Sequence, residues 1–157
     1  LAASSAGDSS DPNYNGTTTA GDVAVTLDAG AQINTGSSAS TYAAGILAIS
    51  TGSSSVLTPF TVQTIASGGA AAPGNVTVTN DGLIATAGTL SVGIGAFSVG
   101  GGGIFAQADP NSVSNLGSAS GGGSAGAKTV NVSNAGSIST LGASAFGIVA
   151  FSGMAGG

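Results

Sequence analysis

The sequence predicts an all-β fold: a parallel β-helix, or β-solenoid, built from tandem repeats of about fifty residues. Three observations carry that expectation. A pattern of valine, isoleucine, asparagine and glycine recurs along the chain. Within it, apolar residues alternate singly with polar ones. Turn residues punctuate it every few positions, too often for a helix.

The recurrence comes first. "NVTVTNDGLIATAGTLSVGIGAFS" (75–98) aligns with "TVNVSNAGSISTLGASAFGIVAFS" (129–152) without a gap, at an offset of 54. Val76, Val78, Asn80, Ile84, Thr86, Ile94, Ala96, Phe97 and Ser98 fall on Val130, Val132, Asn134, Ile138, Thr140, Ile148, Ala150, Phe151 and Ser152, and Gly82, Gly88 and Gly93 fall on Gly136, Gly142 and Gly147. A further copy begins at Asp22 and keeps Val23, Val25, Gly30, Ile33, Thr35, Gly45, Ile46, Ala48 and Ser50, with a few residues inserted in its turns. Self-similarity at such a period belongs to stacked architectures. The units run 22–74, 75–128 and 129–157, the last incomplete, and residues 1–21 resemble the end of a preceding unit. Residues 1–157 therefore read as one solenoid segment cut from a longer array.

The strands follow from the period inside each unit. In "VNVSNAGSIST" the apolar Val130, Val132 and Ile138 alternate with Asn131, Ser133, Ser137 and Ser139, as in a half-buried strand. Each half-unit thus divides into three short strands, "VNV", "SIST" and "FGIVAFS" in the last copy, joined by tight corners. Asn134-Ala135-Gly136 and Asp81-Gly82 are expected to supply the positive φ of those corners. Three strands and their corners make one rung, and rungs stack about 4.8 Å apart. A narrow triangular bore would account for the small core residues.

The Gly-rich remainder, "VGGGGIFAQADPNSVSNLGSASGGGSAGA" (99–127), is expected to form a second, looser rung with "GIFAQA" and "NSVSNL" as strands, because long structureless loops are uncommon in compact domains. Asn80 and Asn134 discriminate this from a loop. One rung per repeat places them a single strand spacing apart, about 4.8 Å, and two rungs place them at twice that. Gly100 to Gly103 read as a corner that the backbone passes without side chains.

Composition sets the chemical limits. Only 4% of residues are charged, against about 25% in an ordinary domain. Hydrophobic content of 41% separates the chain from disordered sequences, although 29 glycines and many alanines leave little for a thick core. The net charge is −5 and Lys128 is the single basic residue, so nucleic acid and anionic membrane surfaces are poor partners. No apolar run is long enough for a membrane span, and "LAASSAGDSS" has no basic region of a signal peptide. The absence of cysteine removes disulfides and thiolate metal sites.

The chain has no His, Cys, Arg or Glu, and its six acids are Asp8, Asp11, Asp22, Asp28, Asp81 and Asp109, scattered in turn-like contexts. A serine nucleophile would have no imidazole base. The chain is not expected to be an enzyme, and no catalytic, cofactor-binding or metal-binding residue is assigned. Three stretches approach known motifs. "GGGSAGAKT" (121–129) approaches a phosphate loop, but Ala127 stands where glycine is required and a strand, not a helix, should follow. "DPNYNGTTTAGD" (11–22) has the spacing of a calcium loop through Asp11, Asn13, Asn15, Gly16 and Asp22, with a Pro-nucleated turn as the simpler reading. Thr77 and Thr79 have the spacing of ice-binding threonine arrays, but Ala24/Thr26 and Asn131/Ser133 break the array in the other copies.

These residues resemble a known family. The pattern V-x-V-x-N-x-G-x-I-x-T-x-G, a small-residue turn, then G-I-x-A-x-S and a Gly-rich string is similar to the repeats of large bacterial autotransporter passenger domains. The resemblance covers essentially all three copies, about half the chain by strict count, and the Gly-rich remainder fits in composition. It implies secretion across the outer membrane and a right-handed parallel β-helix on the bacterial cell surface, serving adhesion, aggregation or display. The family's GGGGG strings are shortened here to GGGG and to "GMAGG", and no C-terminal membrane barrel is present, which fits an excerpt. The expected function is that of a structural or adhesive segment of a long extracellular β-helical protein: a stalk, adhesin or fibre. The alternative is a subunit of a homopolymeric filament stacked end to end. The expected partners are adjacent repeats or identical chains, together with host or neighbouring-cell surfaces. A solenoid polysaccharide lyase or hydrolase would need clustered acids or bases, and none is visible.

Overall fold

The computed structural model describes residues 1–5, 17–52, 56–58, 61–63, 70–100, 126 and 128–154. Two strands come first, β1 (Ala2–Ser5) and β2 (Thr17–Thr19). The first aligned segment forms β3 (Val23–Leu27), β4 (Gln32–Gly36) and β5 (Ala44–Thr51), followed by β6 (Val56–Thr58), β7 (Thr61–Gln63) and β8 (Ala70–Ala72). The second forms β9 (Val76–Asn80), β10 (Leu83–Ala87) and β11 (Val92–Gly100), and the third β12 (Val130–Asn134), β13 (Ser137–Leu141) and β14 (Phe146–Met154). The fold is all-β, with no helix among the described residues.

Each aligned segment gives one strand to each of three parallel sheets. Their orders are β12-β9-β3, β13-β10-β4 and β1-β5-β11-β14. The shorter strands β2 and β8, which lead into β3 and β9, pair in parallel, while β6 and β7 form an antiparallel hairpin. Register follows the alignment of the sequence. Val76 faces Val130, Ile84 faces Ile138 and Ile94 faces Ile148, and on the other side Ile84 faces Ile33 and Ile94 faces Ile46. A slip of one residue would turn every inward side chain outward, so the buried valines and isoleucines hold the register.

This pairing corrects one expectation. Asn80 and Asn134 are partners on hydrogen-bonded neighbouring strands, the single-spacing arrangement. The Gly-rich half therefore inserts no second rung between consecutive copies. After the first copy it instead carries the β6–β7 hairpin and returns through β8, beside β2. The expected strands "GIFAQA" and "NSVSNL" lie outside the described residues, as do Gly101, Gly102 and Gly103, while Gly100 is the buried last residue of β11.

A second correction concerns the first corners. Gly30 has positive φ (85°), but Gly82 and Gly136 do not. Their glycines answer to close approach: a Cβ on Gly136 would fall on the Gly82 carbonyl oxygen, and one on Gly82 against the carbonyls of Ala31 and Asp28. In the second corners positive φ does recur, at Gly88 with Leu90 and at the corresponding Gly142 with Ser144.

The core lies between the three sheets. Val23, Val76 and Val78 come from the first sheet, Ile84 from the second, and Ile46, Ala48, Ile94 and Ala96 from the third. Strand β9 alternates as expected, with Val76, Val78 and Asn80 buried and Thr77 exposed. Strand β11 is largely buried on both faces, and there the sequence is correspondingly small: Gly93, Gly95, Ala96 and Ser98.

Candidate functional site: the interlayer ladders and the open end

Layers are joined by side chains as well as by strand pairing, at the corners where the backbone leaves the sheets. One ladder follows the serines near the ends of β5, β11 and β14. Ser50 Oγ donates to the Gly21 carbonyl of its own layer (3.1 Å) and accepts the Gly74 N–H of the next (2.7 Å). Ser98 repeats both contacts, donating to the Gly74 carbonyl (2.9 Å) and accepting from the Lys128 N–H (3.2 Å). Ser152 donates to the Lys128 carbonyl, and no described residue donates to it. Because Ser50 and Ser98 are fully buried, both halves of each contact replace water that the hydroxyl has lost.

A second ladder precedes the first sheet. Asp22 Oδ1 accepts from the backbone N–H (2.7 Å) and side-chain amide (3.1 Å) of Asn75, and Asn75 Oδ1 accepts the Thr129 N–H (3.3 Å). A third closes the corner after that sheet. Asn80 Oδ1 accepts the Gly82 N–H (3.2 Å), and Asn80 Nδ2 donates to Asn134 Oδ1 (2.6 Å). Leu27 holds this register position in the first copy, where the corner is longer and closes through its own backbone, Ala31 N–H to the Asp28 carbonyl (3.0 Å). The asparagine thus supplies the bond that a two-residue corner is too short to make.

The third kind of interlayer contact is apolar. A Cβ built on Gly45 would collide with Ile84 Cγ2 and the Gly93 carbonyl, and one on Gly93 with Ile138 Cγ2 and the Gly147 carbonyl. Each of these glycines is a socket for the isoleucine of the next layer. A Cβ on Gly147, the equivalent residue of the third layer, would meet nothing within 4 Å among the described residues.

Comparison with protein-family models, with curated proteins and with solved structures finds no match for this chain. Its surfaces alone bear on what it can do. Of the near-motifs, Lys128 and Thr129 lead directly into strand β12, and Lys128 contributes backbone groups to the serine ladder. Asp22 caps the next layer, whereas Asp11, Asn13, Asn15 and Gly16 lie outside the described residues. Thr77 and Thr79 pair with Ala24 and Thr26 on one side and with Asn131 and Ser133 on the other, so the side-chain row is mixed. Among the described residues no group of three His, Cys, Asp or Glu could hold a metal ion. No helix of the described residues is long and apolar enough to cross a membrane.

The serine ladder and the glycine sockets were visible in the alignment as conspicuous matches, Ser98 with Ser152 and Gly93 with Gly147, but carried no assigned role. A serine ending a strand reads as solvent-facing, and a glycine within one reads as a weak point. Only the interlayer contacts give either residue its purpose. At the third layer those contacts end: Leu141 (66%), Phe146 (41%) and Ile148 (45%) are exposed, although the counterpart Ile94 is wholly buried. The arrangement can propagate a stack of strands and present polar, nearly uncharged outer faces.

Proposed function

We propose that the chain is a segment of a right-handed parallel β-helix of tandem repeats, acting as a structural and adhesive part of a long extracellular protein on the bacterial surface. The observation that carries this reading is the stacking of like on like: each sheet takes the same strand from every aligned segment, in the register of the repeat. A stack built that way lengthens by one strand spacing per repeat, the economy of a stalk or fibre. The resemblance to autotransporter passenger repeats supports export and surface display. An outer surface of serine, threonine and asparagine suits contact through hydrogen bonds rather than ions. A second reading, a subunit of a filament stacked end to end, is favoured by the exposed apolar side chains of Leu141, Phe146 and Ile148 on strands β13 and β14.

Two measurements test the proposal together. Small-angle scattering on chains with three and six aligned segments should show the long dimension growing by about 14 Å, at about 4.8 Å per added layer. Display of the chain on a Gram-negative cell through an outer-membrane barrel should increase adherence and cell–cell aggregation over the barrel alone. Growth in all dimensions would overturn the stacked architecture, and unchanged adherence and aggregation would overturn the adhesive role. Assembly of the free chain into fibres, seen by electron microscopy, would favour the filament.

A further inference from the structure

The outward face of the first sheet carries a hydroxyl in every layer. Along β3, β9 and β12 the inward valines alternate with Ala24 and Thr26, with Thr77 and Thr79, and with Asn131 and Ser133. The parallel register sets Thr26, Thr79 and Ser133 in one column and Ala24, Thr77 and Asn131 in a second. All six are exposed except Thr79, which is half-buried. None of the three hydroxyls of the first column has a hydrogen-bond partner among the described residues. Successive hydroxyls stand one strand spacing apart, about 4.8 Å, and the two columns lie about 6.6 Å apart. No charge lies on the face itself. The exposed Asp28 and Asp81 stand just past the ends of β3 and β9, Asp22 just before β3, and Lys128, the single basic residue, two positions before β12.

We infer that this face binds a neutral, extended β-1,4-linked glycan lying along the stack, with one hexose over each layer. Such a chain advances per hexose by close to one strand spacing, so over three layers the two repeats drift by only a fraction of a spacing. Its flat ribbon turns over at each successive sugar, and either edge offers a hydroxyl or hydroxymethyl group to the column at every step. Thr26, Thr79 and Ser133 can each donate to that group or accept from it. The two threonines are β-branched and stiff at χ1, so their hydroxyls are held in place before the ligand arrives and little freedom is lost on binding. The carboxylates at the strand ends repel a polyanion, which selects neutral over acidic polysaccharides. An α-1,4-linked chain curls and cannot follow a straight column. The inference rests on the adhesive reading above and adds the class of partner and the residues that recognise it.

The test titrates the isotope-labelled 157-residue chain with cellohexaose and follows the backbone amide NMR shifts. Saturable shifts concentrated in β3, β9 and β12 are expected, with no binding of maltohexaose or polygalacturonate. Thr26→Val, Thr79→Val and Ser133→Ala together should weaken binding at least about tenfold, as the loss of two or three hydrogen bonds predicts. Thr79→Ser, which keeps the hydroxyl, and Ser139→Ala, on the second sheet, should leave the affinity unchanged. The amide spectrum reports whether the triple variant is folded; if it is not, Thr79→Val alone decides by a smaller loss in the same direction. Absence of saturable shifts, shifts centred on another sheet, equal affinity for maltohexaose or polygalacturonate, or undiminished binding by a folded hydroxyl variant overturns the inference. Should cellohexaose fail to bind while cells displaying the chain still adhere and aggregate, the inference falls and the adhesive reading stands.

Discussion

Replacing Asn80 by alanine tests whether side-chain ladders, and not strand pairing alone, hold the layers. Asn80 is fully buried, and its amide makes two bonds, one to the Gly82 N–H and one to Asn134 Oδ1. Asn80→Ala removes both, and Gly82 is itself buried in a two-residue corner with no backbone acceptor for its N–H among the described residues. A lost hydrogen bond has a net value of about 1 kcal/mol, and a buried donor left unpaired costs about 1–3 kcal/mol. The expected loss is therefore about 2–4 kcal/mol. Urea unfolding followed by far-ultraviolet circular dichroism should show the midpoint falling by about 1–2 M with an unchanged slope, for a slope of about 2 kcal/mol/M. A loss below about 0.5 kcal/mol would refute the reasoning, because the Gly82 N–H would then have another acceptor or reach water.

Two further substitutions probe the interior. Thr86 Oγ1 is buried without a hydrogen-bond partner, in a row with Thr35 and Thr140, so the near-isosteric Thr86→Val should raise stability by about 0.5–1.5 kcal/mol, read from thermal unfolding. A fall would mean that the hydroxyl is satisfied. Gly93→Ala drives a methyl group into Ile138 Cγ2 and the Gly147 carbonyl and should cost about 1–3 kcal/mol, with faster hydrogen exchange in β13 and β14 than in β3 and β4. Equal exchange in the two pairs would show that the socket is not what joins the second and third layers.

The strands were legible because their cause is local. "VNV", "SIST" and "FGIVAFS" became Val130–Asn134, Ser137–Leu141 and Phe146–Met154, since alternation and turn residues act over a few positions. The offset of 54 also foretold register, because residues alike in two copies meet across the sheets. What alternation cannot say is which strand pairs with which. The Gly-rich half was expected to supply a rung because loops of that length are uncommon, yet the bonds between β9 and β12 leave no room for one. Likewise Gly82 and Gly136 looked like positive-φ corners because Asp81-Gly82 and Asn134-Ala135-Gly136 are turn chemistry. The need to pass a neighbouring layer's carbonyl is invisible until that neighbour is in place.

The same limit explains why the candidate site could not be found by searching for chemistry. Serine, asparagine and glycine carry no reactive group beyond a hydroxyl, an amide or an absence, and within one copy each is unremarked. Repetition changes their meaning, because a contact such as Ser98 between the Gly74 carbonyl and the Lys128 N–H is half within one layer and half between two. Every interior layer can satisfy both halves, while an outermost layer leaves one half open, as at Ser152 and Gly147. In such a chain the contacts that stabilise the fold are the contacts that extend it.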